Sequence, residues 1–278
     1  MHKAPGPAPG ETERLKDVAK NVRRDILLMC AEAAGGHYMS SFSSVEILVS
    51  LFFTELRFDP KNPADPGRDR FVLSKGHAAP ALYAVMAESG YFPREELKTL
   101  RKCGSRLQGH PVMSRLPGLN SSSGSLGQGI STAVGIALAG KMDKKDYRTY
   151  VLLGDGECQE GLVWEAAMAA AHFQLENLVA IVDRNRLQIS GTTDKVMSLG
   201  DLRAKWHAFG WEVIAADGHD ITSMIAALRK ARDVRGKPAC LIADTVKGRG
   251  IPFIENNLKY HTAPLNEDEM AKAMKCLE

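Results

Sequence analysis

The fold of this chain is decided by residues 150–157, which read YVLLGDGE. Residues 150–153 form a short apolar run, which is typical of a strand buried on both faces of a parallel sheet. In Gly154-Asp155-Gly156-Glu157, the glycines let the backbone approach a phosphate closely, and Asp155 offers the hard oxygen that magnesium or calcium prefers. Taken alone, the stretch is explained at least as well by a tight turn with a solvated aspartate.

Outward from this stretch, short apolar runs alternate with helical patterns. We predict strands at 150–153, 178–182, 211–215 and 239–244, a short apolar run at 71–73, and helices from about 11, at 44–55, 80–89, near 94, 127–141, 162–173, 199–209 and 221–232. Ser44 is predicted to cap the second helix. This alternation predicts an α/β fold, a doubly wound, mostly parallel sheet with helices on both faces. Ligands of such sheets bind where loops leave the carboxyl ends of the strands.

The bulk composition is that of an ordinary globular protein. The chain has 278 residues, 44% of them hydrophobic and 25% charged, so it is long enough to bury a sizeable core. A net charge of +3 gives no reason to expect nucleic acid or a membrane surface as a partner. The chain has no internal repeat or linker, which predicts one domain over residues 11–278 after a disordered tail at residues 1–10.

Cysteine usage indicates the cellular compartment. The five cysteines are odd in number, scattered, and never spaced as C-x-x-C. Neither a disulfide framework nor a zinc site is therefore expected, and a reducing cytoplasm fits this pattern better. Residues 1–10 also lack the apolar core of a secretory signal peptide. We therefore predict a cytoplasmic protein.

A second polar segment follows the next predicted strand. Residues 183–187 read DRNRL, and 28 residues separate Gly156 from Asn185, which leaves space for one helix and one strand. Because neighbouring parallel strands end at the same edge of a sheet, the two turns are expected to meet there. One carboxylate, one amide oxygen and a free carbonyl suit a metal whose other ligands come from a diphosphate. A helix cap or turn residue is the ordinary explanation of a lone asparagine, but the pair favours a functional site.

The pairing of Gly154-Asp155-Gly156 with Asn185 resembles the thiamine diphosphate-binding motif, in which GDG is followed by an asparagine one helix and one strand later. The resemblance implies thiamine diphosphate as the cofactor, with a metal held by Asp155, Asn185 and the backbone carbonyl of Leu187. It implies Mg²⁺, with Ca²⁺ or Mn²⁺ as alternatives. The family often has two asparagines in this segment, whereas both neighbours of Asn185 are arginines here.

Four of the eight histidines, His37, His77, His110 and His261, lie in predicted loops. A single loop histidine is most simply explained as a surface or structural residue. Their surroundings, however, resemble transketolase along most of the chain. The segments that carry the resemblance are DRFVLSKGHA at 69–78, GSRLQGHP at 104–111 and, most specific, SGSLGQG at 123–129. The similarity covers about residues 24–265, and it implies the thiamine diphosphate-binding fold of that family.

By this resemblance the four histidines line the approach to the reactive carbon of the cofactor. There they would bind substrate hydroxyls, relay protons or contact the diphosphate, because imidazole can donate and accept near neutral pH. Leu126 would pack against a ring of the cofactor. The complete set of implied cofactor-binding residues is His77, Gly124, Leu126, Gly154, Asp155, Gly156, Glu157, Asn185 and His261.

Two further glutamates follow the turn at Gly154-Asp155-Gly156-Glu157, which we call the metal turn. Glu160 and Glu165 lie near the start of a predicted helix, where carboxylates are favoured by the positive end of the helix dipole. That structural explanation is sufficient by itself. The resemblance adds a catalytic role for both, in a glutamate network that crosses a subunit interface between two cofactor sites.

The segment Lys247-Gly248-Arg249-Gly250 follows the last predicted strand and resembles a phosphate-binding loop at first sight. No predicted helix follows it, so the interpretation as a P-loop fails. The resemblance to transketolase instead places it in the segment that covers the cofactor and leads to His261.

The resemblance also implies a partner chain and a reaction. In transketolases the glutamate that drives cofactor activation belongs to a second, pyrimidine-binding domain, for which 278 residues leave no room. A C-terminal transketolase subunit that carries this domain is therefore the expected partner, in an α2β2 assembly. The implied activity is transfer of a two-carbon ketol unit between sugar phosphates, by a transferase that is active only with its partner.

Other interpretations are open at this point. Half of a deoxyxylulose-phosphate synthase or of a 2-oxo-acid dehydrogenase is disfavoured by the segments around His110 and at 124–129. A catalytically silent binding subunit would need neither Asp155, Asn185 nor the loop histidines. A magnesium-dependent nucleotide binder is disfavoured because no G-x-G-x-x-G opens a helix near the start of the chain.

Overall fold

The computed structural model describes residues 10–278 of the chain. The predicted tail at residues 1–10 lies outside the described residues except for Gly10, which directly precedes the first helix. No helix within residues 10–278 has both the length and the apolar character needed to cross a membrane.

A sheet of five strands lies at the centre of the fold. Its strands span Arg70–Leu73 (β1), Thr149–Gly154 (β2), Leu178–Arg184 (β3), Glu212–Asp217 (β6) and Ala239–Asp244 (β7). They lie in the order β1-β2-β3-β7-β6, and every neighbouring pair is parallel, so the predicted parallel sheet is confirmed. A separate antiparallel pair consists of Leu187–Gln188 (β4) and Gly191–Thr192 (β5).

Helices connect these strands and cover both faces of the sheet. They span Glu11–Glu32 (α1), Tyr38–Phe42 (α2), Val45–Thr54 (α3), Ala79–Glu88 (α4), Gln128–Met142 (α5), Gly161–His172 (α6), Thr193–Met197 (α7), Leu202–Ala208 (α8), Ile221–Arg232 (α9) and Glu267–Cys276 (α10). Single 3-10 turns lie at Gly76–Ala78, Arg94–Thr99, Gly156–Gln159 and Leu258–Tyr260. The predicted alternation of strands and helices is confirmed in order and in type.

The strands alternate their side chains between two apolar cores. Tyr150 and Leu152 of β2 pack in the core formed with α1, α3, α4 and α9, whereas Val151 and Leu153 pack in the core formed with α5, α6 and α8. Because both faces of β2 are covered, the strand is apolar at every one of these positions. Helices on both faces are therefore confirmed, as expected for a doubly wound sheet.

Several local predictions differ from the structure. Ser44 precedes α3, but its hydroxyl donates to Ser40 O and Asp183 instead of capping that helix, so the predicted side-chain cap is wrong. Helix α8 begins at Leu202 rather than at 199, because Asp201 accepts from the backbone amide of Ala204 and caps it there. The patterns also missed α2, α7 and the β4–β5 pair, which are too short to show a period, and they missed α10, although its Met270, Ala273 and Met274 follow helical spacing.

The long loop between Gly104 and Gly127 is held by close backbone approaches to the turn after β1. A Cβ atom on Gly76 would lie 2.9 Å from the backbone nitrogen of Gly124, and one on Gly129 would lie 2.6 Å from Cα of Ser74. Glycine is required at both positions because any side chain would collide with backbone atoms. These contacts bring the two glycine-rich segments to the carboxyl end of β1.

Candidate functional site

The polar segments of the sequence meet in one cavity of about 330 Å³ at the carboxyl edge of the sheet. Each segment directly follows a strand or lies in a loop that packs against the ends of the strands. Twelve of the predicted site residues line this cavity: His37, His77, Gly124, Leu126, Gly154, Asp155, Gly156, Glu157, Glu160, Asn185, Leu187 and His261.

The ends of β2 and β3 bring together the three predicted metal ligands. Gly154 pairs with Asp183 in the parallel register, so the turns after the two strands lie side by side. Asp155 accepts from the backbone amides of Gly156 at 3.0 Å and Arg186 at 2.7 Å. The side-chain oxygen of Asn185 accepts from the amide of Leu187 at 3.1 Å, which fixes its orientation in the same loop.

The electrostatics of Asp155 suit a bound cation. Burial, together with the nearby charge of Asp183, raises the pKa of the Asp155 carboxyl to about 6. A divalent metal would remove this penalty, because it stabilises the ionised carboxylate. Within residues 10–278 no group of three His, Cys, Asp or Glu side chains is arranged to hold a metal. The donor set here is different, one carboxylate, one amide and one carbonyl, and these oxygens fit a hard cation.

Lys247 brings a positive charge to the third predicted ligand. Its ammonium group donates to the backbone carbonyl of Leu187 at 3.0 Å, so this carbonyl already faces a cation. Burial and the charge of Lys75 lower the pKa of Lys247 to about 8. The backbone amide of Gly248 donates to Met39 O at 3.1 Å, which holds the segment against α2.

A buried ion pair underlies the metal turn. The ammonium group of Lys75 donates to Asp183 Oδ2 at 2.5 Å, and both side chains are 1% exposed or less. Burial opposes ionisation of Asp183, but Lys75 and the hydroxyls of Ser43 and Thr245 hold its pKa below the usual value. One pair thus connects the turn that carries His77, the start of α3 and the ends of β3 and β7.

The buried carboxylate of Glu157 joins three segments of the site by hydrogen bonds. Its Oε1 accepts from the amide of Gly127 at 2.9 Å and from the hydroxyl of Ser74, and its Oε2 accepts from the amide of Gly154 at 3.0 Å. Burial raises the pKa of this carboxyl, although these donors favour its ionised form. Both oxygens of Glu157 are therefore engaged within the protein.

The four predicted histidines form one cluster around His37. The centre of its ring lies 5.3 Å from that of His77, 5.5 Å from that of His261 and 6.4 Å from that of His110. They come from four separate parts of the chain, the start of α2, the turn after β1, the long loop and the segment before α10. Three of the four, His37, His77 and His261, line the cavity together with residues of the β4–β5 pair.

Three imidazoles of this cluster, those of His37, His77 and His261, are held neutral. Burial is the main cause, and neighbouring positive charges add to it, so that the pKa of His37 falls to about 4. The same causes lower the pKa of His261 to about 4 and that of His77 well below its usual range. A neutral imidazole offers one donor and one acceptor, which suits recognition of hydroxyl groups.

Two predicted site residues, His110 and Glu165, do not line the cavity. His110 is exposed at the rim and lies near Gly124, whose added Cβ would be 3.7 Å from its ring. Glu165 is exposed on α6 and does not line the cavity. Glu160 precedes α6 and lines the cavity, and Leu126 is 36% exposed there.

Seven other residues line the cavity that were not among the predicted site residues, although the segment of Lys247 had been placed over the cofactor by resemblance: Ser40, Lys75, Gln159, Gln188, Ile189, Ser190 and Lys247. One signal was available for Ile189, which is a single apolar residue in a polar turn and is 75% exposed. The glycines around Lys247 were a second signal, since a backbone-permissive segment after a strand is typical of ligand sites. Nothing in the sequence marks Lys75 as buried.

Comparison with known proteins identifies the family. A family model described as "Transketolase, thiamine diphosphate binding domain" matches residues 15–277. The chain belongs to the transketolase family. An apulose-4-phosphate transketolase subunit of Phocaeicola vulgatus is 42% identical over 265 residues, which cover 95% of this chain and 94% of that relative. The 6-deoxy-6-sulfo-D-fructose transketolase subunit SqwG of Clostridium sp. is 43% identical over 264 residues, which cover 95% of this chain and 96% of that relative.

Solved transketolases share the fold described above. The transketolase of Campylobacter jejuni has a TM-score of 0.90 at 34% identity, over 95% of this chain and 43% of that one. The transketolase of Pichia stipitis in complex with sedoheptulose 7-phosphate has a TM-score of 0.88 at 34% identity, over 95% of this chain and 40% of that one. This transketolase-family chain therefore spans less than half the length of those enzymes.

Proposed function

We propose that this chain is the diphosphate- and metal-binding subunit of a heteromeric transketolase, which transfers a two-carbon ketol unit between sugar phosphates. One observation carries the proposal: Asp155, Asn185 and Leu187 line the same cavity as the neutral imidazoles of His37, His77 and His261. Membership of the thiamine diphosphate-binding family supports it. We take residues 11–278 as one diphosphate-binding domain.

In this proposal the metal turn holds the cofactor through a divalent cation. Asp155, the amide oxygen of Asn185 and the carbonyl of Leu187 would coordinate Mg²⁺, with Ca²⁺ or Mn²⁺ as possible replacements. The diphosphate would lie close to the backbone of the turn at Gly154 and Gly156, where the absence of side chains allows that approach. Gly124 and Leu126, which also line the cavity, would contact the rings of the cofactor, Leu126 by apolar packing.

The imidazole cluster would position the substrate. Thiamine diphosphate supplies the electron sink that carbon–carbon cleavage next to a carbonyl needs. His37 and His261, each held neutral by burial, can donate to one hydroxyl and accept from another. His77 adds a third neutral ring beside His37, and His110 at the rim is placed to meet the open end of a sugar phosphate.

A partner chain belongs to the same proposal. The two relatives described above are named as subunits, and this chain covers 94% and 96% of their lengths. We propose a C-terminal transketolase subunit with the pyrimidine-binding domain as the partner, in an α2β2 assembly, with Glu160 and Glu165 near the contact between cofactor sites. All five cysteines are unpaired, which supports a cytoplasmic location.

The proposal is tested by calorimetric titration of thiamine diphosphate with Mg²⁺ into the chain, alone and mixed with candidate partner subunits. We expect binding that requires the metal, that Asp155→Ala abolishes and that the partner tightens. Asp268→Ala, which removes an exposed carboxylate of α10 outside the cavity, is the matched control for cofactor binding. Absence of binding even in a stable complex would contradict the cofactor assignment, and binding without ketol transfer by that complex would favour a silent subunit.

A further inference from the structure

The two arginines that flank Asn185 meet on one carboxylate. Arg184 donates to Asp244 Oδ1 at 2.9 Å and Arg186 donates to the same oxygen at 2.7 Å. Arg203 of α8 donates to Oδ2 at 2.9 Å. Asp244 is the last residue of β7 and pairs in register with Arg184 of β3. The carboxylate of Asp244, on the neighbouring strand, therefore binds the residues on both sides of Asn185, a predicted metal ligand.

The backbone of the turn at Asn185 is strained at Arg186 and requires contacts that hold its conformation. Arg186 has a left-handed φ of 61°, which is unfavourable for a residue with a Cβ and is kept only where the surroundings enforce it. This conformation lets its amide donate to Asp155 Oδ2 at 2.7 Å while its carbonyl accepts from Thr193 at 3.1 Å. The side chain of Arg186 leaves the cavity and reaches Asp244.

The charge of Asp244 stabilises this turn as well as its hydrogen bonds do. The side chains of Arg184, Arg186 and Arg203 are 31%, 51% and 46% exposed, and Asp244 is the acceptor that they share. Without that carboxylate, three guanidinium groups would repel one another beside a site for a divalent cation. The loop would then lose its anchor and its charge balance together.

From this arrangement we propose that Asp244 is a positioning residue for the metal site, which holds Arg186 in its left-handed conformation and thereby orients Asn185 and the Leu187 carbonyl. The inference rests on the proposed function for the nature of the cation. Asp244 itself does not line the cofactor cavity, so it acts through the two arginines. The ion pairs with Asp244 thus explain why arginines flank Asn185 in this chain, where the family often has a second asparagine.

The test compares Asp244→Asn with Asp217→Asn in the full-length chain. Asp217 pairs in register with Asp244 at the end of β6, is exposed, and has no arginine partner among the ion pairs of residues 10–278. Its oxygen accepts from the amide of His219 at 2.9 Å, which asparagine can continue to do. The two variants thus remove the same charge from the same edge of the sheet, but only Asp244→Asn removes the ion pairs with the three arginines.

Two readouts are used, the dissociation constant of Mg²⁺ at saturating thiamine diphosphate and amide hydrogen exchange of residues 184–193 in the chain alone. We expect Asp244→Asn to weaken Mg²⁺ binding about tenfold, as is common when a residue that orients a metal ligand is lost, and to speed exchange at Arg186 and Thr193. Asp217→Asn is expected to change neither readout. Asp244→Glu keeps the carboxylate and is expected to retain part of the Mg²⁺ affinity and part of the protection from exchange.

Two outcomes would overturn the inference: equal effects of Asp244→Asn and Asp217→Asn, which would reduce the effect to net charge, or unchanged exchange in Asp244→Asn. Failure of the wild-type chain to bind thiamine diphosphate and Mg²⁺ would instead count against the proposed function. The exchange comparison remains decisive for Asp244 in that case, because it needs no cofactor.

Discussion

The backbone amide of Gly127 donates to Glu157 Oε1 at 2.9 Å and thereby joins segments that lie 30 positions apart in the sequence. The same carboxylate accepts from Ser74 and from the amide of Gly154. The three segments are the turn that leads to His77, the glycine-rich loop before α5 and the metal turn. Glu157 therefore sets the distance between the predicted metal ligands and the wall formed by Gly124 and Leu126.

Replacement of Glu157 by glutamine is expected to destabilise the chain by about 1–3 kcal/mol, because the new amide group would face a backbone N–H and leave a buried donor unsatisfied. The free energy of unfolding from urea denaturation measures this loss. Glu165→Gln is the control, since that side chain is exposed on α6. Equal stability of the two variants would show that the shared carboxylate does not hold the segments together.

Two glycines of α5 provide a matched test of the close approach between this helix and the turn after β1. Gly129→Ala would place a Cβ 2.6 Å from Cα of Ser74, a backbone atom that cannot rotate away. A loss of about 1–3 kcal/mol is expected, as for other overpacked sites. Gly135→Ala, which meets nothing within 4 Å, should instead stabilise the chain by about 0.5–1 kcal/mol. Thermal unfolding of both variants gives the comparison, and a stable Gly129→Ala would refute the contact.

The neutral histidines predict a pH dependence of stability. The pKa of His37 is lowered to about 4, so the unfolded chain takes up a proton near pH 6.5 while the folded chain does not. Stability from this group is therefore fully present above about pH 6.5 and is lost as the pH falls towards about pH 4. His37→Gln should show a smaller loss of melting temperature than wild type between about pH 7 and about pH 5.

The control for this experiment is His172→Gln, because His172 lies at the end of α6, outside the cluster. Its pH dependence should match that of the wild-type chain. A proton NMR titration supplies a second check, in which the ring signals of His37 and His261 should not move until the pH approaches about 4. Titration of either ring near pH 6.5 would contradict the buried, neutral cluster.

The main chain of the metal site was predictable because it obeys simple rules. Residues 150–153 of the strand before Asp155 are all apolar since both its faces are covered, and parallel strands end at one edge, which brings Asn185 beside Asp155. The histidines were found through resemblance rather than through a pattern. No period in the sequence brings His37, His77, His110 and His261 together, because their contacts depend on how four separate segments pack.

Residues that act through tertiary contacts could not be predicted in the same way. Lys75 lies in a polar turn that would ordinarily face water, but its ammonium group is buried against Asp183, the last residue but one of β3. Ser44 has the sequence features of a helix cap, but its hydroxyl turns to Asp183, which is the stronger acceptor. Local propensity was overruled in both cases by the same buried carboxylate.

The pair formed by Lys75 and Asp183 gives the largest expected effect on stability. Lys75→Met leaves the Asp183 charge buried without its partner, and this should cost about 3–5 kcal/mol of unfolding free energy. Adding Asp183→Asn removes that charge, so the double variant should be more stable than Lys75→Met alone, which urea denaturation of the four members of the cycle will measure. Lys272→Met, at an exposed position of α10, should stay within about 0.5 kcal/mol of wild type. A double variant less stable than Lys75→Met would contradict the dominance of the unpaired charge and would assign the loss to packing around Ser43 and Thr245.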